Sequence, residues 1–195
     1  MQVFLVIIAA YFLGSIPFGY LIARVWNIDI RRHGSGNVGA TNVLRTLGPV
    51  PGLIVFCLDL LKGALPVWAV LYFTSEPWLI LLAGIMAVIG HTYSIFLKFK
   101  GGRGAATGLG VLLGVAPDIF LCALIVVILI IALTRYVSLA SILTPPLVSI
   151  AFLALKRPLP YAIVAWLITV IIIIKHTPNI KRLLNGTERK IGAKE

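Results

Sequence analysis

Seven apolar runs follow one another along this chain with only short polar stretches between them, and that pattern decides most of what it can fold into. A helix needs about 20 apolar residues to cross a hydrocarbon core of about 30 Å. Six of the runs, at 3–23, 50–73, 78–97, 119–134, 136–155 and 159–174, come near or pass that length. Hydrophobic residues make up 60% of the chain and charged residues 12%, far from the balance of a soluble globular domain. Apolar segments in lipid must satisfy their own backbone groups, so the expected fold is an all-α integral membrane protein. Even spacing of the runs, with no long hydrophilic stretch, predicts one transmembrane domain over 1–195. Cys57 and Cys122 both lie inside apolar runs, where they are expected to pack as small apolar side chains and not to form a disulfide. Only Met-Gln precedes the first run and no small-residue site follows it, so a cleaved signal peptide is not expected.

The seventh run, 105–116, has twelve residues and reaches only about 18 Å along a helix. It either crosses or turns back, and the positive-inside rule discriminates. If it crosses, Arg24, Arg31, Arg32, Arg45, Lys98, Lys100, Arg103, Arg135, Lys175, Lys181, Arg182, Arg189, Lys190 and Lys194 share the inner face. That is fourteen cations against two outside, Lys156 and Arg157, with Lys62 left within a span. If it re-enters, the balance is nine to seven. The first arrangement predicts seven transmembrane helices, one of them short, with the N-terminus outside and the C-terminus cytoplasmic. The net charge of +11 then belongs to the cytoplasmic face, suited to anionic headgroups and substrates. Nucleic acid is the competing partner for such charge, but no recognised module accompanies it.

Three polar stretches interrupt the runs: Ser35 to Arg45, Lys98 to Thr107 and His176 to Lys190. The first packs Ser35, Asn37, Thr41 and Asn42 around two glycines and ends on Arg45. A turn whose Asn and Ser cap the next helix would need fewer such residues, so a binding site is expected, with Arg45 pointing back at whatever the loop holds. In the second, Lys100, Gly101, Gly102, Arg103 and Gly104 bring three glycines within four residues. Missing side chains there let backbone N–H groups approach an anion, and a helix starting at about Ala105 turns its positive end the same way. The G-x-x-x-x-G-K-[ST] spacing of a nucleotide loop is absent. His176, Asn179 and Arg182 recur at three-residue intervals on one helical face; spacing alone fits a binding face and a solvated tail equally.

Within the spans, Asp59 and Lys62 stand at i and i+3. Such charges are expensive in hydrocarbon unless paired, so a structural ion pair is the first reading and Lys62 reaching a substrate the second. Ser138 and Ser141 have the same spacing near Arg135, with Pro145-Pro146 expected to break the helix soon after. Hydroxyls there usually bond backbone; a ligand role for Ser141 is the alternative.

The segments SGNVGATN…R, KFKGGRGAATGLG, RYVSLAS and HTPNIKRLLNGTE, taken together and in order, resemble the bacterial acyl-phosphate-dependent glycerol-3-phosphate acyltransferases, the PlsY family. The resemblance implies a seven-helix inner-membrane enzyme, active toward the cytoplasm, that transfers a fatty acyl group from acyl phosphate to sn-glycerol 3-phosphate. By motif, Ser35, Asn37, Thr41, Asn42 and Arg45 belong to the first site segment, Lys100 to Arg103 to the second, and His176, Asn179 and Glu188 to the third. Arg103 stands where the family more often has Lys; the charge is kept but the fork geometry differs.

The residues agree with that chemistry in one respect. Acyltransferases that use thioester donors commonly carry His-x4-Asp, and here Val38, Phe96 and Lys181 follow the three histidines at that distance. An acyl phosphate, a mixed anhydride with a good leaving group, needs less help. Arg45 and Arg103 are expected to neutralise two phosphates and hold the glycerol hydroxyl against the acyl carbon, with the departing phosphate or His176 taking the proton. No ligand cluster calls for a metal or cofactor. The rival readings are a membrane transporter for an anionic metabolite, which would favour polar breaks at the bilayer midplane, and a non-catalytic lipid-binding protein, which leaves the glycine-rich loop unexplained.

Overall fold

A computed structural model describes residues 1–192; Lys194, counted above among the inner cations, lies outside the described residues. Every regular element among the described residues is helical, in two compact units that divide at Val115 and Ala116.

In the first unit, α1 (Gln2–Ser15) and α2 (Phe18–Val25) replace the single expected span at 3–23. They bend by 41° at Ile16-Pro17, because proline supplies no N–H and cannot continue the ladder. The Ile16 carbonyl accepts instead from the Phe18 N–H at 3.1 Å and from Lys62 Nζ at 2.8 Å. Next comes α3 (Ala40–Leu47), a short helix within the first polar stretch that no apolar run marks. It ends at Gly48, whose φ of +95° turns the chain directly into α4 (Pro49–Phe73). The third span stops early, as α5 (Pro77–Thr92), followed by a 3-10 turn at Ile95–Leu97. Residues 105–115 form α6 (Ala105–Val115), starting where the glycine loop was expected to hand over to a helix.

Close packing of this unit rests on small residues. A Cβ on Gly14 would strike the Ala87 backbone, and one on Gly90 the Tyr11 carbonyl, so α1 and α5 touch backbone to backbone. Gly63 against Thr107 and Gly110 against Leu60 do the same for α4 and α6. Without a hydrophobic drive between helices in lipid, such close approach is what holds spans together. Nearer the loops, Ala23, Ile30, Val38, Val43, Val55 and Leu97 form a buried apolar cluster that anchors α2, α3 and the intervening loop on α4.

The second unit holds α7 (Pro117–Thr134), α8 (Val137–Ala154), α9 (Leu159–Lys175) and α10 (Thr177–Leu184), consecutive helices packed on their neighbours. The expected break at Pro145-Pro146 does not occur: α8 runs through both prolines. A spanning helix tolerates this when side chains and neighbours re-satisfy the backbone. One turn on, Ser149 Oγ donates to the Pro145 carbonyl at 3.1 Å and meets Thr169 Oγ1 of α9 at 3.1 Å. α9 and α10 bend by 61° at His176. Among the described residues, four helices are long and apolar enough to span alone, and up to six spans result if each bent pair counts as one.

Candidate active site

Asn42 organises the first polar stretch. Its side chain is 2% exposed, and its Nδ2 donates to the carbonyls of Ile30 at 3.1 Å, His33 at 3.0 Å and Asn37 at 2.9 Å, while its Oδ1 accepts from the Ser35 N–H at 2.9 Å. One buried amide on α3 thereby pulls three points of the preceding loop together. Its four bonds all run to the loop it supports. Asn37 Oδ1 accepts from the Gly39 N–H at 2.7 Å and closes an Asx turn into α3. Ser35 stands exposed above it, with its Oγ reached by the Asn37 N–H at 3.4 Å. Thr41 and Arg45, both half-buried, lie one helical turn apart on α3.

A cationic rim flanks this loop. Asp29 caps the short turn at Ile30–Arg32 and takes two hydrogen bonds from the Arg31 guanidinium, at 2.9 and 2.7 Å. Those bonds, with added attraction from Arg24, outweigh desolvation and hold the Asp29 carboxyl far below the usual carboxylate range. Both guanidinium groups lie over the Tyr20 ring, at 4.6 and 5.1 Å from its centre.

The second stretch is hung on the end of α5. Lys98 and Phe99 adopt left-handed backbone (φ of +51° and +61°), and the Gly101 and Gly102 N–H groups donate to the carbonyls of Thr92 at 3.1 Å and His91 at 2.9 Å. These two amides are therefore engaged within the protein. Their missing side chains serve another purpose: a Cβ on Gly101 would strike the His91 carbonyl, and one on Gly102 the His91 ring. What the loop presents is Lys100, exposed, and Arg103, half-buried, with Gly104 (φ +83°) turning into α6, whose first-turn N–H groups follow.

Beneath these loops lies a buried ionic group. Asp59 and Lys62, each 2% exposed, pair at 2.7 Å as their spacing suggested. Lys62 Nζ also donates to the Ile16 carbonyl and sits 5.4 Å from the centre of the Phe18 ring. Its ammonium is thus held below the surface by Asp59 and the Ile16 carbonyl. Sequence reasoning missed the third member, His91, whose Nδ1 is 3.6 Å from Asp59 Oδ1; thirty-two positions along the chain, it leaves no local spacing signal.

In the second unit, Asn179 Nδ2 donates to Glu188 Oε1 at 2.8 Å and Arg182 Nε to Oε2 at 2.7 Å. Burial raises the Glu188 carboxyl, but the hydrogen bonds of Arg182 and Asn179, together with the nearby Ser138 hydroxyl, prevail and bring it below its ordinary value of 4.5. A carboxylate so held organises the turn after α10. The same bond orients the Asn179 amide, whose buried Oδ1 has no hydrogen-bond partner among the described residues. His176 Nδ1 lies 2.8 Å from the Ile172 carbonyl. A carbonyl only accepts, so Nδ1 carries the proton and Nε2 is the basic nitrogen of the neutral ring. Ser141 Oγ donates to the Val137 carbonyl at 3.0 Å, leaving its lone pairs to accept.

The family model for glycerol-3-phosphate acyltransferases matches residues 4–186. The chain belongs to this family. Among relatives, a glycerol-3-phosphate acyltransferase 2 of Moorella thermoacetica is 44% identical over 189 residues, covering 96% of this chain and 97% of that protein. Another glycerol-3-phosphate acyltransferase, from a strain of Thermus thermophilus, is 44% identical over 186 residues, 95% of this chain and 94% of its own. Two crystal structures of PlsY, an integral membrane glycerol 3-phosphate acyltransferase, superpose with TM-scores of 0.94 and 0.92 at 42% identity, over 98% of this chain and 96% of theirs. One is its glycerol 3-phosphate form and the other its lysophosphatidic acid form. This chain is thus a multi-pass integral membrane protein that matches its relatives over nearly their whole length.

Proposed function

We propose that this chain transfers a fatty acyl group from acyl phosphate to sn-glycerol 3-phosphate, releasing 1-acyl-sn-glycerol 3-phosphate and inorganic phosphate as the first acylation of phospholipid synthesis. Family membership across nearly the whole chain carries the reading. The product form of the related structure, a lysophosphatidic acid, is what such a reaction would leave.

Arg45, Lys100 and Arg103 supply the positive charge that two phosphates require, with Thr41, Asn37 and the first turn of α6 adding neutral donors. Ser35 and Arg45 act on the reacting groups. The hydroxyl of glycerol 3-phosphate attacks the acyl carbon, the bond to the phosphate oxygen breaks, and phosphate departs. His176 Nε2 is one acceptor for the hydroxyl proton, and the departing phosphate is another; Asn179 supports the same step on the strength of its family motif. No cofactor enters this chemistry. We further propose one transmembrane acyltransferase domain over 1–195, with seven spans in which α6 is the short one, the N-terminus outside, and the site facing the cytoplasm across the inner membrane. Charge segregation within the second unit supports this: Arg157 pairs with Asp118 at one end of its helices, while Arg135 bonds Ile191 at the other.

The test is purified protein in detergent with palmitoyl phosphate and glycerol 3-phosphate, read by phosphate release and lyso-lipid formation. We expect both products in equal amounts from the parent, and a loss on the order of a thousandfold in Arg45→Ala, the scale of removing a group that stabilises developing charge. A folded parent that releases no phosphate above the protein-free rate would discard the assignment.

A further inference from the structure

The buried group Asp59, Lys62 and His91 lies outside the roles just assigned, and within the first unit its contacts reach the α1–α2 break and the glycine loop. Lys62 holds the Ile16 carbonyl freed by the α1–α2 break. His91 supports the glycine loop twice, through its carbonyl to the Gly102 N–H and through its ring, which occupies the space a Gly102 side chain would need. Around the three side chains is a small recess whose walls include Val38 from the first loop and Ser94 and Leu97 from the turn before the second. A buried ion pair is weak evidence for stability, since well-packed apolar residues of like volume often do as well. Retaining three ionisable groups at the junction of two substrate loops calls for another reason.

We propose that Asp59, Lys62 and His91 are positioning residues for acyl transfer: the pair fixes the His91 ring, and the ring sets the height of the Gly101–Gly104 loop and so of Arg103 over the substrate phosphates. The proposal rests on the acyltransferase reading. It explains why Gly102 must lack a side chain although its amide is already engaged. It also explains why Lys62 sits too deep to touch a phosphate.

The double variant D59L/K62M separates positioning from stability, because it removes both charges together and leaves no buried charge unpaired. With the thermal midpoint in detergent as a check on folding, we expect KM for at least one phosphate substrate to rise on the order of tenfold or more, the effect of a small misplacement of binding groups. Amide hydrogen exchange in the peptide containing Gly101 and Gly102 should quicken at the same time as their bonds to α5 loosen. A folded double variant whose KM values stay within about twofold of the parent and whose loop exchanges at the parent rate overturns the proposal, even if kcat falls. Should the double variant not fold, His91→Asn, which leaves the ion pair intact, decides by the same two readouts. Inactivity of the parent protein would strike the acyltransferase reading itself, whereas an active parent with unaltered variants would strike only this one.

Discussion

Asn42 shows how much a single side chain can hold. In Asn42→Ala the Ser35 N–H and the Asn37 carbonyl lose this partner at once, while the carbonyls of Ile30 and His33 lose one donor each and keep the N–H groups of His33 and Gly36. Unfolding free energy should fall by about 2–4 kcal/mol, the range for orphaning one or two buried polar groups. Asn37→Ala, which removes one Asx bond at the surface, should fall by about 1 kcal/mol. Thermal midpoints in detergent check this, and equal shifts for the two variants would refute the central place given to Asn42. Glu188 makes a pH prediction. Its folded value lies below 4.5, so the unfolded chain binds more protons there, and its stabilisation is complete at neutral pH and fades as pH falls through and below 4.5. Glu188→Gln should lower the midpoint at neutral pH and flatten its decline in acid; a parallel acid decline in the two proteins would argue against it. The polar stretches themselves were legible from density alone, since Ser, Asn, Gly and Arg crowd together nowhere else. Which atoms face outward was not, because whether the amides of Gly101 and Gly102 serve a ligand or the end of α5 depends on where α5 ends.

Apolar length located six of the helices and the start of α6, because a span must be apolar throughout. It failed where local chemistry overrides length. Pro17 was hidden in a run whose total length was sufficient, and α3 is eight residues of mixed polarity between two glycines, too short for a period to emerge. Pro145 and Pro146 misled in the other direction, because the rule that proline ends a helix weakens in a spanning helix. Glycine carries more weight in these elements than any apolar residue. Gly110→Ala would drive a Cβ into the Leu60 carbonyl and part α4 from α6; we expect a loss of about 3 kcal/mol, the upper range for overpacking. Gly186→Ala meets open space and only the strain of its φ of +68°, about 1–2 kcal/mol. Ranking the two by thermal midpoint tests whether backbone contact or backbone conformation governs; a larger loss at Gly186 would reverse the argument.

Charge orders the chain as a membrane protein in a way that no single helix does. Of the 17 Lys and Arg residues, the proposed topology leaves two on the outer side, and both sit in the connection between α8 and α9. Within the second unit Arg157 meets Asp118 at the start of α7. Arg135, at the other end of α7, donates through Nε and Nη2 to the Ile191 carbonyl and accepts from the Ile191 N–H, and Lys190 lies 5.4 Å from the centre of the Tyr136 ring. The 18 residues of α8 separate the two ends by about 27 Å, close to the thickness of the hydrocarbon core. Placing single cysteines at 157 and 181, in a background where Cys57 and Cys122 are replaced by serine, turns this separation into a measurement. A membrane-impermeant maleimide added to intact cells with an opened outer envelope should label Arg157→Cys and leave Lys181→Cys untouched until the inner membrane is permeabilised. Labelling of both from one side would mean that α9 does not cross, and the reverse pattern would turn the whole topology over and place the basic loops, and the acyl transfer proposed for them, on the wrong face for substrates made in the cytoplasm.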